Sequence, residues 1–134
     1  MTSITLKPEL SELNTLNQFI SNELGKENLQ VNLIVEEIFV NIINYSKTDI
    51  ITVNVEFDDN TVTLEFIDNG IEFNPLLTED PETSDNIDEV KIGGLGIFLT
   101  KQMSDDMSYE YKNSENHLKI VKNVKEWKKS WNRF

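Results

Sequence analysis

Three stretches of this 134-residue chain carry residue types whose spacing could do chemistry. The first holds Glu37, Asn41 and Tyr45, four residues apart, so that on a helix they form one polar strip. A carboxamide oxygen can complete the octahedron of a Mg²⁺ ion that keeps several waters and takes its other ligands from phosphates. A carboxylate one turn away can take a proton from a hydroxyl or a water, if partial burial lifts its pKa. The same strip also serves as the wet face of an ordinary helix.

The second stretch is Asp68-Asn69-Gly70, directly after an alternating run that ends at Ile67. It reads as a turn, yet no strand pairs back at once. A carboxylate at the end of a buried strand needs a hydrogen-bond donor. The amino group of a purine is one such donor, and Gly70 would let a flat ring approach the backbone. The third is Gly93-Gly94-Leu95-Gly96 before Ile97-Phe98-Leu99. Glycines opening an apolar helix expose backbone N–H groups at the positive end of its dipole, an anion site or a plain hinge. No Lys-Ser/Thr pair follows at P-loop spacing, and the third glycine of a dinucleotide fingerprint is missing.

These residues need a frame. Residues 3–7 alternate as a short strand ended by Pro8, and Leu10, Leu13, Leu16, Ile20 and Leu24 mark an amphipathic helix closed by Gly25. Asn28 can cap a second helix to about Ser46, with Val31, Ile34, Val35, Ile38 and Ile42 inward. Ile51, Val53, Val55 and then Val62, Leu64, Phe66 alternate around Asp58-Asp59-Asn60, which predicts a hairpin. Residues 71–92 have no period and hold seven acids against one Lys, a long loop. A helix from Leu95 to about Ser104 follows. A second hairpin then sets Met107, Tyr109 and Tyr111 against Leu118, Ile120 and Val124, around Asn113-Ser114-Glu115-Asn116. This order has no βαβ alternation. It predicts an α+β two-layer sandwich, with helices on one face of a mixed, mostly antiparallel sheet. One domain spans 1–134, with 125–134 as a basic C-terminal helix or tail.

Composition removes several classes of function. The absence of cysteine rules out disulfides and thiolate zinc sites, and a lone His117 leaves little for a histidine metal cluster or a Ser-His-Asp triad. No apolar run exceeds three residues, so neither a membrane span nor a signal-peptide core is present in the sequence, and a cytoplasmic domain is expected. A net charge of −12 repels a phosphate backbone, so nucleic acid is not an expected partner.

Taken in order, Glu-x-x-x-Asn on a helix, Asp-x-Gly after a strand, a long loop and Gly-x-Gly at a helix start form a pattern. It resembles the GHKL superfamily of ATP-binding domains found in gyrase, MutL proteins, heat-shock chaperones and histidine kinases. Glu37 and Asn41 match its N box, Asp68 and Gly70 its first glycine box, Gly94 and Gly96 its second. Within it, Gly70-Ile71-Glu72-Phe73-Asn74-Pro75 and Gly93 to Leu99, followed by Met103 and Asp105-Asp106, are similar to the small bacterial anti-sigma factors that double as serine kinases, the RsbW and SpoIIAB type. Tyr45 stands where that group commonly has His, and Ile92 where a basic residue often precedes the glycines.

The resemblance implies a Bergerat-type fold with ATP and Mg²⁺ as cofactors. Asp68 would accept from the adenine amino group and Asn41 would ligate Mg²⁺. Gly94, Leu95 and Gly96 would offer N–H groups to the phosphates, with Gly93, Gly70, Tyr45 and Phe73 in the same nucleotide site and 71–92 as a lid. Glu37 would be the general base on a partner's serine or threonine hydroxyl. The implied partners are an anti-anti-sigma protein and a sigma factor, in a partner switch, with a homodimer also allowed. Two other readings stay open: a nucleotide-binding switch module with negligible kinase activity, and a simple ATPase. A histidine-kinase fragment fits least, because no phosphoacceptor helix precedes the domain.

Overall fold

The computed structural model describes residues 1–77 and 92–124, the side chains of 92–95 excepted. Strand β1 (Thr2–Leu6) leads through a 3₁₀ turn (Leu10–Glu12) into helix α1 (Leu13–Leu24), then α2 (Leu29–Tyr45). Strands β2 (Ile51–Asp58) and β3 (Thr61–Asp68) follow, then a 3₁₀ turn (Pro75–Leu77), α3 (Ile92–Met103), β4 (Asp106–Lys112) and β5 (Glu115–Asn123). The sheet order is β1-β2-β3-β5-β4. Every pairing is antiparallel, so among the described residues the sheet has none of the parallel pairs that a mixed sheet would contain.

Alternation sets the two faces of the sheet. Val53 and Val55 on β2, Leu64 and Phe66 on β3, and Leu118 and Ile120 on β5 are buried, in rows fixed by the register Val53↔Phe66↔Leu118 and Val55↔Leu64↔Ile120. Thr52, Asn54, Thr63, Glu65 and Lys119 take the opposite face and are only partly covered or exposed. Burying a side chain such as Phe66 contributes roughly 2–3 kcal/mol. Both hairpins close on two-residue loops, Asp59-Asn60 and Asn113-Ser114, with φ of 49° and 64° and of 53° and 62°. Positive φ at both positions is the type I′ geometry that matches strand twist.

The helices cover the buried face. Helix α2 starts where Asn28 Oδ1 accepts from Val31 N at 3.0 Å, and it buries Val31, Ile34, Val35, Ile38, Phe39 and Ile42. Helix α1 buries Leu16, Ile20 and Leu24 and ends at Gly25, φ 78°. Leu10 falls outside that stripe and is exposed, because the 3₁₀ turn rotates it off the helix face. Helix α3 begins three residues before the expected Leu95, so the glycines form its first turn rather than a lead-in. Of the long loop, 71–77 is described and 78–91 lies outside the described residues, as does the basic tail 125–134. No described helix is long and apolar enough to cross a membrane.

Candidate nucleotide site

The inward rows of the sheet change character at one end. Leu6, Ile51, Asp68 and Asn116 lie in one register row, and all four are buried. The row is apolar on β1 and β2 and polar on β3 and β5. Asp68 keeps the parity of Val62, Leu64 and Phe66, so the strand drives its carboxylate inward. A carboxylate held there needs donors, and three reach one oxygen. Gly70 N and Asn116 Nδ2 each donate to Asp68 Oδ1 at 2.9 Å, and the Ser46 hydroxyl donates to the same atom.

Asn116 ties the next segment down as well. Its Nδ2 also donates to Ile71 O at 2.8 Å, while its Oδ1 accepts from Phe73 N at 2.9 Å and from the Tyr109 hydroxyl. Burial raises the Tyr109 pKa, the Phe73 backbone bond lowers it, and Glu72, Asp68 and Tyr111 raise it further, which keeps the phenol a donor. Gly70 is required by close approach, since a Cβ there would overlap the backbone oxygen and the hydroxyl of Ser46.

Asp68 and Asn116 form one end of a slot. It is lined by Ile38, Asn41 and Ile42 from α2, Phe66, Tyr109 and Leu118 from the sheet, and Phe73 and Pro75 from the segment after β3. Apolar faces with one carboxylate and two carboxamides suit a flat heteroaromatic ring that carries a hydrogen-bond donor. The open volume is only ≈ 10 Å³, room for at most one water, so a ring enters only if lining side chains move. A larger groove of ≈ 460 Å³ between α1 and the start of α2, lined by Asn17, Gln18, Asn22 and Asn32 among others, shares no residue with it.

Asn41 is 6% exposed, lines the slot, and has no hydrogen-bond partner among the described residues. One turn back, the half-buried Glu37 carboxylate rests on α3: a Cβ on Gly96 would overlap Glu37 Oε2. Burial, and secondarily the neighbouring Glu36 carboxylate, raise the Glu37 pKa above its ordinary 4.5. Helix α3 opens with Ile92, Gly93 and Gly94, whose N–H groups have no partner within the helix. Leu95 and Gly96 come fourth and fifth, where the helical pattern takes up the N–H, as it does at Asn32, fourth in α2, whose N–H donates to Asn28 O at 2.9 Å. The place of Gly96 in the site is therefore the contact with Glu37, and neither Leu95 nor Gly96 offers the free amide expected of it.

The structure thus brings Asn41 and Asp68 to one slot and sets Glu37 against the start of α3. Tyr45 does not line the slot. It is 42% exposed and stacks on Phe73, with ring centroids 5.5 Å apart, so it supports a wall residue instead. Ser46, Asn116 and Tyr109 were absent from the expected site. Asn116 was legible in principle, because it shares the parity of the inward Leu118 and Ile120.

Among the described residues no group of three His, Cys, Asp or Glu is placed to hold a metal. A Mg²⁺ ion here would depend on the unpartnered Asn41 carboxamide and on phosphate oxygens. That donor set fits the ion's preference for few protein ligands.

The comparisons with known proteins agree with this frame. No curated protein matches the chain. The chain is similar to the solved structure of the Acinetobacter baumannii histidine kinase AdeS, with a TM-score of 0.54 at 10% identity over 94% of this chain and 69% of that one, a likeness of fold. The family model for the histidine kinase-like ATPase domain matches residues 8–122, which takes in α2, the Asp68 corner and all of α3. The chain therefore belongs to the histidine kinase-like ATPase family, an ATP-binding domain of the GHKL superfamily.

Proposed function

We propose that the chain is an ATP-dependent serine/threonine protein kinase that acts as an anti-sigma regulator on an anti-anti-sigma partner. The observation that carries the reading is the position of Glu37. Its carboxylate lies one helical turn from the slot-lining Asn41 and against Gly96 in the first turns of α3. A carboxylate with a raised pKa thus stands one turn from a slot residue and against the first turns of α3, which supports a role as general base. The stretches Gly70–Pro75 and Gly93–Leu99, similar to the serine-kinase anti-sigma factors, support the choice of a protein acceptor.

In this reading Asp68 accepts from the adenine amino group, and the slot walls sandwich the ring. The free N–H groups of Gly93 and Gly94 face the phosphates. Asn41 would hold Mg²⁺, which would neutralise charge on the phosphate oxygens. Glu37 orients the acceptor hydroxyl and takes its proton as the oxygen bonds to the γ-phosphorus, while the bond to the β,γ-bridging oxygen breaks and ADP departs. Little covalent work falls to the protein, so positioning dominates. The same Glu37 could instead activate water, which makes simple ATP hydrolysis the second reading.

Incubation with Mg²⁺, γ-labelled ATP and a candidate antagonist protein separates them. Label on a serine or threonine of the antagonist is the expected result. Release of inorganic phosphate alone would support the ATPase, and retained binding with neither product would support a switch module.

A further inference from the structure

We propose that Ser46 is a positioning residue that sets base selectivity by fixing how the Asp68 carboxylate is turned toward the ligand. This rests on the nucleotide reading above and deepens it. Ser46 is fully buried and ends α2, the helix that carries Glu37 and Asn41. It grips the exit of β3 twice: its hydroxyl donates to Asp68 Oδ1, and its carbonyl accepts from Ile71 N at 2.8 Å.

The grip is directional. All three donors to Asp68 converge on Oδ1, which leaves Oδ2 without a donor among the described residues. A carboxylate's last torsion is broad and twofold, so it turns freely unless something holds one oxygen. Gly70 N belongs to the same turn as Asp68 and moves with it, and Asn116 Nδ2 is shared with Ile71 O. Ser46 alone ties the carboxylate to α2. It thereby sets Oδ2 as a bare acceptor at a fixed place relative to Asn41. A bare acceptor selects a 6-amino purine over a 6-oxo one, whose oxygen would face it.

A second hydroxyl nearby serves as an internal control. Thr48 Oγ1 lies 2.6 Å from Asn69 Oδ1 and accepts from Asn69 N at 3.1 Å, bracing the same turn without touching Asp68. If Ser46 were only a structural brace, the two residues would behave alike.

The test compares binding of ATP and of inosine triphosphate by calorimetry, on the full chain and its variants. Wild type is expected to prefer ATP by roughly 100-fold, and Ser46→Ala to lower that ratio by about tenfold. Thr48→Val is expected to lower the melting temperature while leaving the ratio within about twofold of wild type. Should Ser46→Ala fail to fold, Ser46→Cys, with its weak S–H donor, reads the same ratio and is expected to fall between. An unchanged ratio in a folded Ser46 variant, or an equal loss in Thr48→Val, overturns the proposal while leaving ATP binding intact. Wild type that binds neither nucleotide overturns the nucleotide reading and this proposal together.

Discussion

Asn116 and Asp68 stand directly opposite each other on β5 and β3, with Asn116 Nδ2 2.9 Å from Asp68 Oδ1. The pair closes the polar end of the slot. Asn116 uses its full hydrogen-bonding capacity there, two donations and two acceptances, all to protein groups. Asn116→Leu would leave the Phe73 amide and the Ile71 carbonyl without their partner and strip one donor from a buried carboxylate. The expected cost is about 2–3 kcal/mol, read as a lower urea midpoint at unchanged slope. A midpoint equal to wild type would mean that this network does not hold the corner.

The hydrogen bond from the Tyr109 hydroxyl to Asn116 Oδ1 holds in place one of the residues that line the slot. Tyr109→Phe removes that bond while keeping the ring, at about 1 kcal/mol of stability. Association with ATP, followed by stopped flow, is expected to speed up, because the slot is too small for a ring as it stands and the freed Tyr109 ring moves more readily. An unaltered association rate would show that the ring enters without moving Tyr109.

Two glycines separate backbone crowding from side-chain crowding. At Gly70 a methyl group meets the backbone oxygen of Ser46, which cannot swing aside, so Gly70→Ala is expected to destabilise by about 3 kcal/mol or more. At Gly96 it meets the tip of Glu37, a flexible side chain. Gly96→Ala should therefore fold with a modest fall in melting temperature, yet lose most turnover because Glu37 is pushed away. Equal damage to stability in both variants would contradict the placement of Glu37.

Glu37 should also show in the pH dependence of stability. Its folded pKa is raised, so the folded state binds more protons than the unfolded state just above pH 4.5. Stability from this group therefore falls as pH rises from the ordinary value through the raised one. Glu37→Gln removes that dependence, so the variant is expected to gain on wild type across this window and stay ahead at pH 7 while losing phosphotransfer. Melting curves from pH 4 to 8 check the sign, and a variant less stable than wild type at pH 7 would refute the burial argument.

Periodicity made most of the frame legible. Alternation placed β2 and β3, and the 3.6-residue stripe placed α2, because a half-buried strand and an amphipathic helix leave different repeats in sequence. The same alternation would have turned Asn116 inward. It was hidden because Asn113-Ser114-Glu115-Asn116 reads as one turn, whereas the loop needs only Asn113 and Ser114. The start of α3 was hidden for a different reason. Glycines weaken a helix locally, but Gly96 is where α3 must meet Glu37, and tertiary packing overrides propensity. Ser46 carried no pattern at all, since a serine at a helix end is an ordinary stop. Its contacts with Asp68 and Ile71 come from residues more than twenty positions later.

The central claim is that α2, the end of β3 and the start of α3 form one cleft for a purine triphosphate. Melting curves of wild type and Asp68→Asn, each with and without Mg-ATP, test it most directly. At ligand about a hundredfold above Kd, wild type is expected to gain on the order of 10 °C and Asp68→Asn almost nothing. Equal stabilisation of both proteins, or of neither, would contradict it.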